Sequence, residues 1–81
     1  MDLPVRLFAL YRGRAGSTII QLKIPNGATV AELTQEIRRR FPQLAPPQAR
    51  IVVAVNAEYA DENLVLKPGD EVCLIPPVSG G

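Results

Sequence analysis

The stretch Ile19-Ile20-Gln21-Leu22-Lys23-Ile24-Pro25-Asn26-Gly27-Ala28-Thr29-Val30-Ala31-Glu32-Leu33 changes its hydrophobic period midway, and that change decides the fold. Up to Pro25, the apolar Ile20, Leu22 and Ile24 alternate with Gln21 and Lys23, the period of two that a strand with one buried face requires. Pro25-Asn26-Gly27 then punctuates the chain. Thr29, with Glu32 three residues later, is a capping-box signature for a helix start. Val30, Leu33, Ile37 and Phe41 follow at spacings of three and four, which gathers them into one buried stripe, and Pro42 ends the helix.

Towards the N-terminus, residues 3–11 alternate as a strand: Leu3, Val5, Leu7 and Ala9 face the core, and Arg6, Phe8, Leu10 and Arg12 face away. The Arg- and Gly-rich link over residues 12–17 is short and favours a hairpin with the second strand. Beyond the helix, a loop carrying Pro46 and Pro47 leads to Ile51-Val52-Val53-Ala54-Val55, a β-branched run of interior-strand character. Residues 56–63 are polar and turn-like, with Tyr59 on a brief edge strand, and Leu64-Val65-Leu66 returns apolar groups to the core. Lys67-Pro68-Gly69-Asp70 has the Pro and Gly placement of a type II turn. A last strand over residues 71–75 follows it. The order ββαβ(β)β predicts an α+β fold of the β-grasp (ubiquitin-like) roll kind, a mixed sheet of four to five strands packed on one main helix. Residues 1–75 form this domain, and residues 76–81 an extended tail.

Eighty-one residues allow one small core. With no histidine and a single cysteine, the chain offers no Cys-His pair, no Ser-His-Asp triad and no zinc ligand set, so no metal is expected. It contains no phosphate-cradling glycine motif, and no bound cofactor is expected. A net charge of +1 gives no broad field for nucleic acid. No apolar run approaches the ~20 residues of a membrane span, and the start Met1-Asp2-Leu3-Pro4 lacks the features of a signal peptide. A cytoplasmic protein that binds neither membrane nor nucleic acid is expected. Arg38-Arg39-Arg40 complement the helix dipole, Asp61 and Glu62 read as solvated turn residues, and Cys73 reads as a strand cysteine with no second thiol.

The sequence ends Ile75-Pro76-Pro77-Val78-Ser79-Gly80-Gly81. Two prolines fix the direction in which the tail leaves the domain, and two glycines make a tip without side chains around which a narrow partner channel can close. Its extended reach is at most roughly 20 Å. A terminal α-carboxyl, with an ordinary pKa of ~3.3 to 3.7, is an anion at neutral pH and a poor electrophile, so chemistry at Gly81 requires activation from outside. Ser79 has no neighbouring base to make it a nucleophile and reads as a small or hydrogen-bonding tail residue.

Leu7-Phe8-Ala9 in the first strand, Arg12 and Gly16 after it, Val55-Asn56, Pro68-Gly69-Asp70-Glu71-Val72 and the tail Pro76-Pro77-Val78-Ser79-Gly80-Gly81 together resemble the small-subunit family of molybdopterin synthase, the MoaD-like branch of the ubiquitin-like sulfur carriers. The likeness spans the chain. It departs after the arginine, where family members often carry Glu and this sequence has Gly13. The resemblance implies a sulfur carrier that is not catalytic alone. An ATP-dependent activating enzyme adenylates Gly81, a sulfur donor converts the adenylate to a thiocarboxylate, and the large subunit uses that sulfur to build the molybdopterin dithiolene. Carriers for thiamine or cysteine synthesis or tRNA thiolation, and ubiquitin-like modifiers, share the tail chemistry up to the activated ester.

Strand parity also places Phe8 and Leu10, with Cys73 and Ile75, on the sheet face opposite the helix, where they form an exposed apolar docking patch unless longer loops cover it. The resemblance puts the positions of Phe8, Arg12 and Ile75 in the interface with both partners. The expected site is therefore Gly81 and Gly80 at the reacting tip, and Phe8, Arg12, Ile75, Pro76, Pro77, Val78 and Ser79 against the partner.

Overall fold

A computed structural model describes residues 1–8, 10–44 and 50–75, with Leu10 described through its backbone alone. The elements run β1 (Asp2–Leu7), α1 (Leu10–Ala15), β2 (Ile19–Lys23), α2 (Val30–Arg40), β3 (Val52–Val55), β4 (Glu58–Tyr59) and β5 (Val72–Ile75). They build one mixed sheet in the order β2-β1-β5-β3-β4. The central pair, β1 and β5, is parallel with Leu7 opposite Leu74, and the remaining neighbours are antiparallel. Pro4 sits in a central strand without breaking it, because the shared β1–β5 register begins one residue later at Val5 and Val72.

The alternation read from the sequence sets the core. Leu3, Val5 and Leu7 from β1, Leu22 from β2, Val72 and Leu74 from β5 and Leu33 and Ile37 from α2 are all essentially inaccessible. Each such side chain contributes roughly 1.5 to 3 kcal/mol of transfer free energy. Thr29 caps α2 as expected: the Glu32 amide donates to Thr29 Oγ1 (3.3 Å) and the Thr29 amide to Glu32 Oε1 (3.1 Å). The turn at Lys67–Asp70 closes with the Asp70 amide donating to the Lys67 carbonyl at 3.1 Å, and Gly69 takes the φ of +90° that its third position demands.

Two expectations are corrected. β1 stops at Leu7, and residues 10–15, expected as the end of a strand and the start of a loop, form helix α1. Tyr11 is buried through this helix and Ala15, one turn on, packs half-buried beside it, an (i, i+4) pair that alternation cannot express. Gly16, at φ +72°, ends the helix. So β1 and β2 are antiparallel neighbours, but a helix joins them. In the segment 64–66 only Leu66 enters the core. Leu64 and Val65 stay exposed, with Val65 in an isolated bridge to Thr29.

The β3–β4 connection is a two-residue turn between the paired Val55 and Glu58, with φ of 53° at Asn56 and 69° at Ala57. Positive φ at both positions is the type I′ requirement, usually met by Asn-Gly, and Ala57 bears a Cβ where glycine would not. Ala57→Gly is expected to stabilise the domain by about 0.5 to 1 kcal/mol, seen as a rise of a few degrees in Tm. An unchanged or lower Tm would show that the backbone relaxes without strain at this position.

Candidate docking face and tail root

The face of the sheet turned away from α2 is built by the residues that alternate with the core ones. Arg6 on β1 lies opposite Ile19 on β2 and Cys73 on β5. Cys73 in turn lies opposite Ala54 on β3, and Ala54 opposite Tyr59 on β4. Towards the C-terminal end of β5, Ile75 pairs with Val52. Phe8 and Ile75 each follow directly on the paired Leu7 and Leu74, so both step off the core side at the same end of the parallel pair. Phe8 is 42% exposed and Ile75 is half-buried.

Arg12 reaches this region from α1 rather than from the sheet. It lines a depression with Arg6, Phe8, Thr18 and Ile19. The structure therefore brings Phe8 and Arg12 to one depression, by a different route for Arg12 than strand parity supplies, and places Ile75 at the neighbouring end of β5. Leu10, expected beside Phe8 on this face, belongs to α1 instead. Pro76, Pro77, Val78, Ser79, Gly80 and Gly81 lie outside the described residues.

Sequence reading overlooked Ile19. It is 41% exposed and, with Pro4, Arg6, Glu71 and Cys73, borders a largely apolar groove of roughly 280 Å³ across β2, β1 and β5. The signal was present: Ile19 shares parity with Gln21 and Lys23, which places it outside. Buried side-chain nitrogen or oxygen atoms without a hydrogen-bond partner do not occur among the described residues, nor does a cluster of three or more carboxylate or thiol groups able to hold a metal. Nothing in this geometry assembles a nucleophile with a base. What it offers is a partly apolar face, bordered by arginine, at the strand end from which residue 76 must continue.

Around that strand end the electrostatics are distinctive. Burial raises the Tyr11 phenol above its ordinary pKa, while Arg14 and Arg38 nearby pull in the opposite direction, so two guanidinium groups flank one phenol. Arg14 also donates from Nη1 to the Leu44 carbonyl at 2.7 Å, tying α1 to the turn after α2. Glu36 is held below the usual carboxylate range, chiefly by its hydrogen bonds to Arg39, with Arg40 adding a further bond at 2.7 Å.

The ThiS family model matches residues 5–81. The molybdopterin synthase sulfur carrier subunit of Arabidopsis thaliana is 35% identical over 81 residues, covering 100% of this chain and 84% of that protein. Among solved structures, SAMP1 from Haloferax volcanii superposes with a TM-score of 0.83 at 29% identity, covering all of both chains. A chain in the complex of subunits 1 and 2 of molybdopterin-converting factor from Helicobacter pylori 26695 does so with a TM-score of 0.69 at 28% identity, again over all of both chains. A sheet order that places parallel β1 and β5 at the centre, a capped α2 across one face and a family match reaching Gly81 lead to one conclusion: the chain belongs to the ThiS family.

Proposed function

We propose that this chain is the sulfur carrier of molybdopterin synthase, acting in molybdenum cofactor biosynthesis. The observation that carries this reading is the segment Pro76-Pro77-Val78-Ser79-Gly80-Gly81 placed directly after the central strand β5, in a chain whose relatives are sulfur carrier subunits. The carboxylate of Gly81 attacks the α-phosphate of ATP on an activating enzyme and releases pyrophosphate. The terminal sulfur of a donor's persulfide then attacks the acyl carbon, the C–O bond to AMP breaks and AMP departs with the displaced oxygen, and a thiol reduces the resulting acyl disulfide, which frees the thiocarboxylate and leaves the donor in a disulfide with that thiol. The large subunit receives the tail and accepts its sulfur. Phe8, Arg12 and Ile75 seat the domain on each partner, while residues 76–79 span the distance to the reacting tip. ATP belongs to the activating enzyme, and this chain holds no cofactor of its own. No helix among the described residues is long and apolar enough to cross a membrane, in keeping with work in the cytoplasm.

Incubated with its activating enzyme, ATP and a sulfur donor, the chain should gain about 16 Da, the exchange of one oxygen for sulfur at the C-terminal carboxyl. No gain with any cognate enzyme would refute the reading. The likeness to SAMP1, a small archaeal modifier protein, favours a second one, in which the activated Gly81 is passed to lysines of other proteins. Gly-Gly remnants on cellular lysines would identify that acceptor.

A further inference from the structure

Asn26-Gly27, between β2 and α2, takes no part in the carrier chemistry and has a chemistry of its own. The Gly27 backbone nitrogen can close a five-membered ring on the side-chain carbonyl carbon of Asn26, and glycine carries no Cβ to crowd that approach. The fold leaves both groups loosely held. Pro25, Asn26 and Gly27 are exposed, and Gly27 takes a φ of +85° with nothing within 4 Å of the place where a Cβ would stand. The turn closes with the Ala28 amide donating to the Pro25 carbonyl at 3.2 Å, the long end of the ordinary range. Neither the Gly27 amide nor the Asn26 side chain has a hydrogen bond among the described residues, so turning the peptide towards the side chain disturbs little. The charged groups nearby, Lys23, Glu32, Glu36 and Arg39, line a depression with Pro25; Glu32 is turned to Thr29 and Glu36 to Arg39 and Arg40.

The chain's other asparagines, Asn56 and Asn63, supply the contrast. Asn56 is followed by Ala57, and its side chain is held at both ends: the amide donates to Asp70 Oδ1 at 3.1 Å and Oδ1 accepts from the Glu71 amide at 3.0 Å. Asn63 is followed by Leu64, whose branched side chain crowds the attack and whose amide already donates to the Asp61 carbonyl at 3.0 Å. Asn26 alone joins a glycine neighbour to an unengaged amide.

We infer that Asn26 is a self-modifying site, converted to aspartate and isoaspartate with water as the co-reactant. The deprotonated Gly27 nitrogen attacks Asn26 Cγ, the bond from Cγ to the side-chain nitrogen breaks, and ammonia leaves with the proton that the Gly27 amide gave up. Water then adds to one or the other carbonyl of the succinimide and breaks its bond to the ring nitrogen. One opening gives aspartate and the other isoaspartate, and neither step needs an oxidant or a reductant. Both products carry a new carboxylate, which takes the formal net charge from +1 to zero. Isoaspartate also adds a methylene to the main chain, two residues before the buried Ala28, whose carbonyl accepts from the Leu66 amide at 2.8 Å. The joint between the start of α2 and residues 64–66 is thereby loosened.

The test is ageing of the full chain in neutral buffer, followed by digestion and mass spectrometry. The peptide carrying Asn26 should gain about 1 Da, and those carrying Asn56 and Asn63 should gain nothing. The rate should rise about ten-fold per pH unit, because the attacking species is the deprotonated amide. A methyltransferase specific for isoaspartate should label the aged chain and not the fresh one, and Asn26→Gln should abolish both signals. A free peptide of residues 24–30 sets the reference rate, and the folded chain should convert within about ten-fold of it. Conversion about a hundred-fold slower than the peptide's would show that the turn withholds the reactive geometry and would overturn the inference. A gain shared equally by the three asparagines would overturn it too. The isoaspartate form should melt a few degrees lower than the fresh chain, and an unchanged Tm at full conversion would overturn the loosened joint.

Discussion

A chain lacking Gly81 should fold as the full chain does and transfer no sulfur at all. The acceptor of the adenylyl group is the terminal carboxyl, and after the deletion that carboxyl moves back one residue, about 3.3 to 3.6 Å short of where an extended tail would place it. Misplacement of a reacting atom by even about 1 Å can cost a hundred-fold in rate, so a displacement of this size should leave no measurable thiocarboxylate. Stability tells the tail apart from the domain. Glycine has no side chain to bury, so removing the final one takes no apolar side chain from the described cluster of Leu3 to Leu74. The melting temperature should stay within about 2 °C of the full chain, the range of a surface change. A large fall would show that the tail packs on the domain, and retained activity would show that the reacting group lies elsewhere.

How much of this was legible beforehand depends on whether a signal is local or arises from the meeting of distant segments. The alternation of Leu3, Val5 and Leu7 and of Ile20, Leu22 and Ile24, and the stripe Val30, Leu33 and Ile37, are enforced by burial on one face and are buried as read, whereas Phe41, read as the stripe's last member, caps the helix and is half-buried, and Ala9 lies outside the described residues. The capping box and the turn at Gly69 are equally local, set by one side chain or one φ. Helix α1 escaped because six residues with Gly13 inside them are too short to show a helical period, and because Phe8 and Leu10 happen to extend the strand alternation of β1. Leu64 and Val65 were placed inside on hydrophobicity alone, although a three-residue run has no periodicity to choose its face. In the candidate site, Phe8 and Ile75 were visible through parity and Arg12 through resemblance. The cleft that Arg38 and Arg50 share with Glu62 was not, because α2, the start of β3 and the segment after β4 meet only in the folded chain.

Leu74→Asp and Ile75→Asp, adjacent substitutions in β5, should have opposite consequences. Leu74 is fully buried between Leu7 of β1 and Val53 of β3, in the middle of the sheet and beneath α2. An aspartate there loses about 2 to 5 kcal/mol of packing, as for other large-to-small core changes, and must also bury a carboxylate in a cluster of hydrophobic residues, at a further cost of several kcal/mol. For a domain of this size the total stability is of order 5 to 15 kcal/mol, so Leu74→Asp should be unfolded at room temperature by circular dichroism. Ile75 points the other way, pairs with Val52 and is partly open to solvent, so its aspartate stays hydrated in the free domain and the fold should survive with a modest loss of Tm. Docking is where Ile75→Asp should fail. Burial against the large subunit would strip water from the new carboxylate in the apolar part of the interface, and a loss of about 2 to 4 kcal/mol there weakens binding by thirty-fold or more. An Ile75→Asp chain that unfolds beside a folded Leu74→Asp chain would invert the assignment of the two sheet faces. If Ile75→Asp instead folds and binds with unchanged affinity, the partner rests on another surface and only the tail carries the encounter.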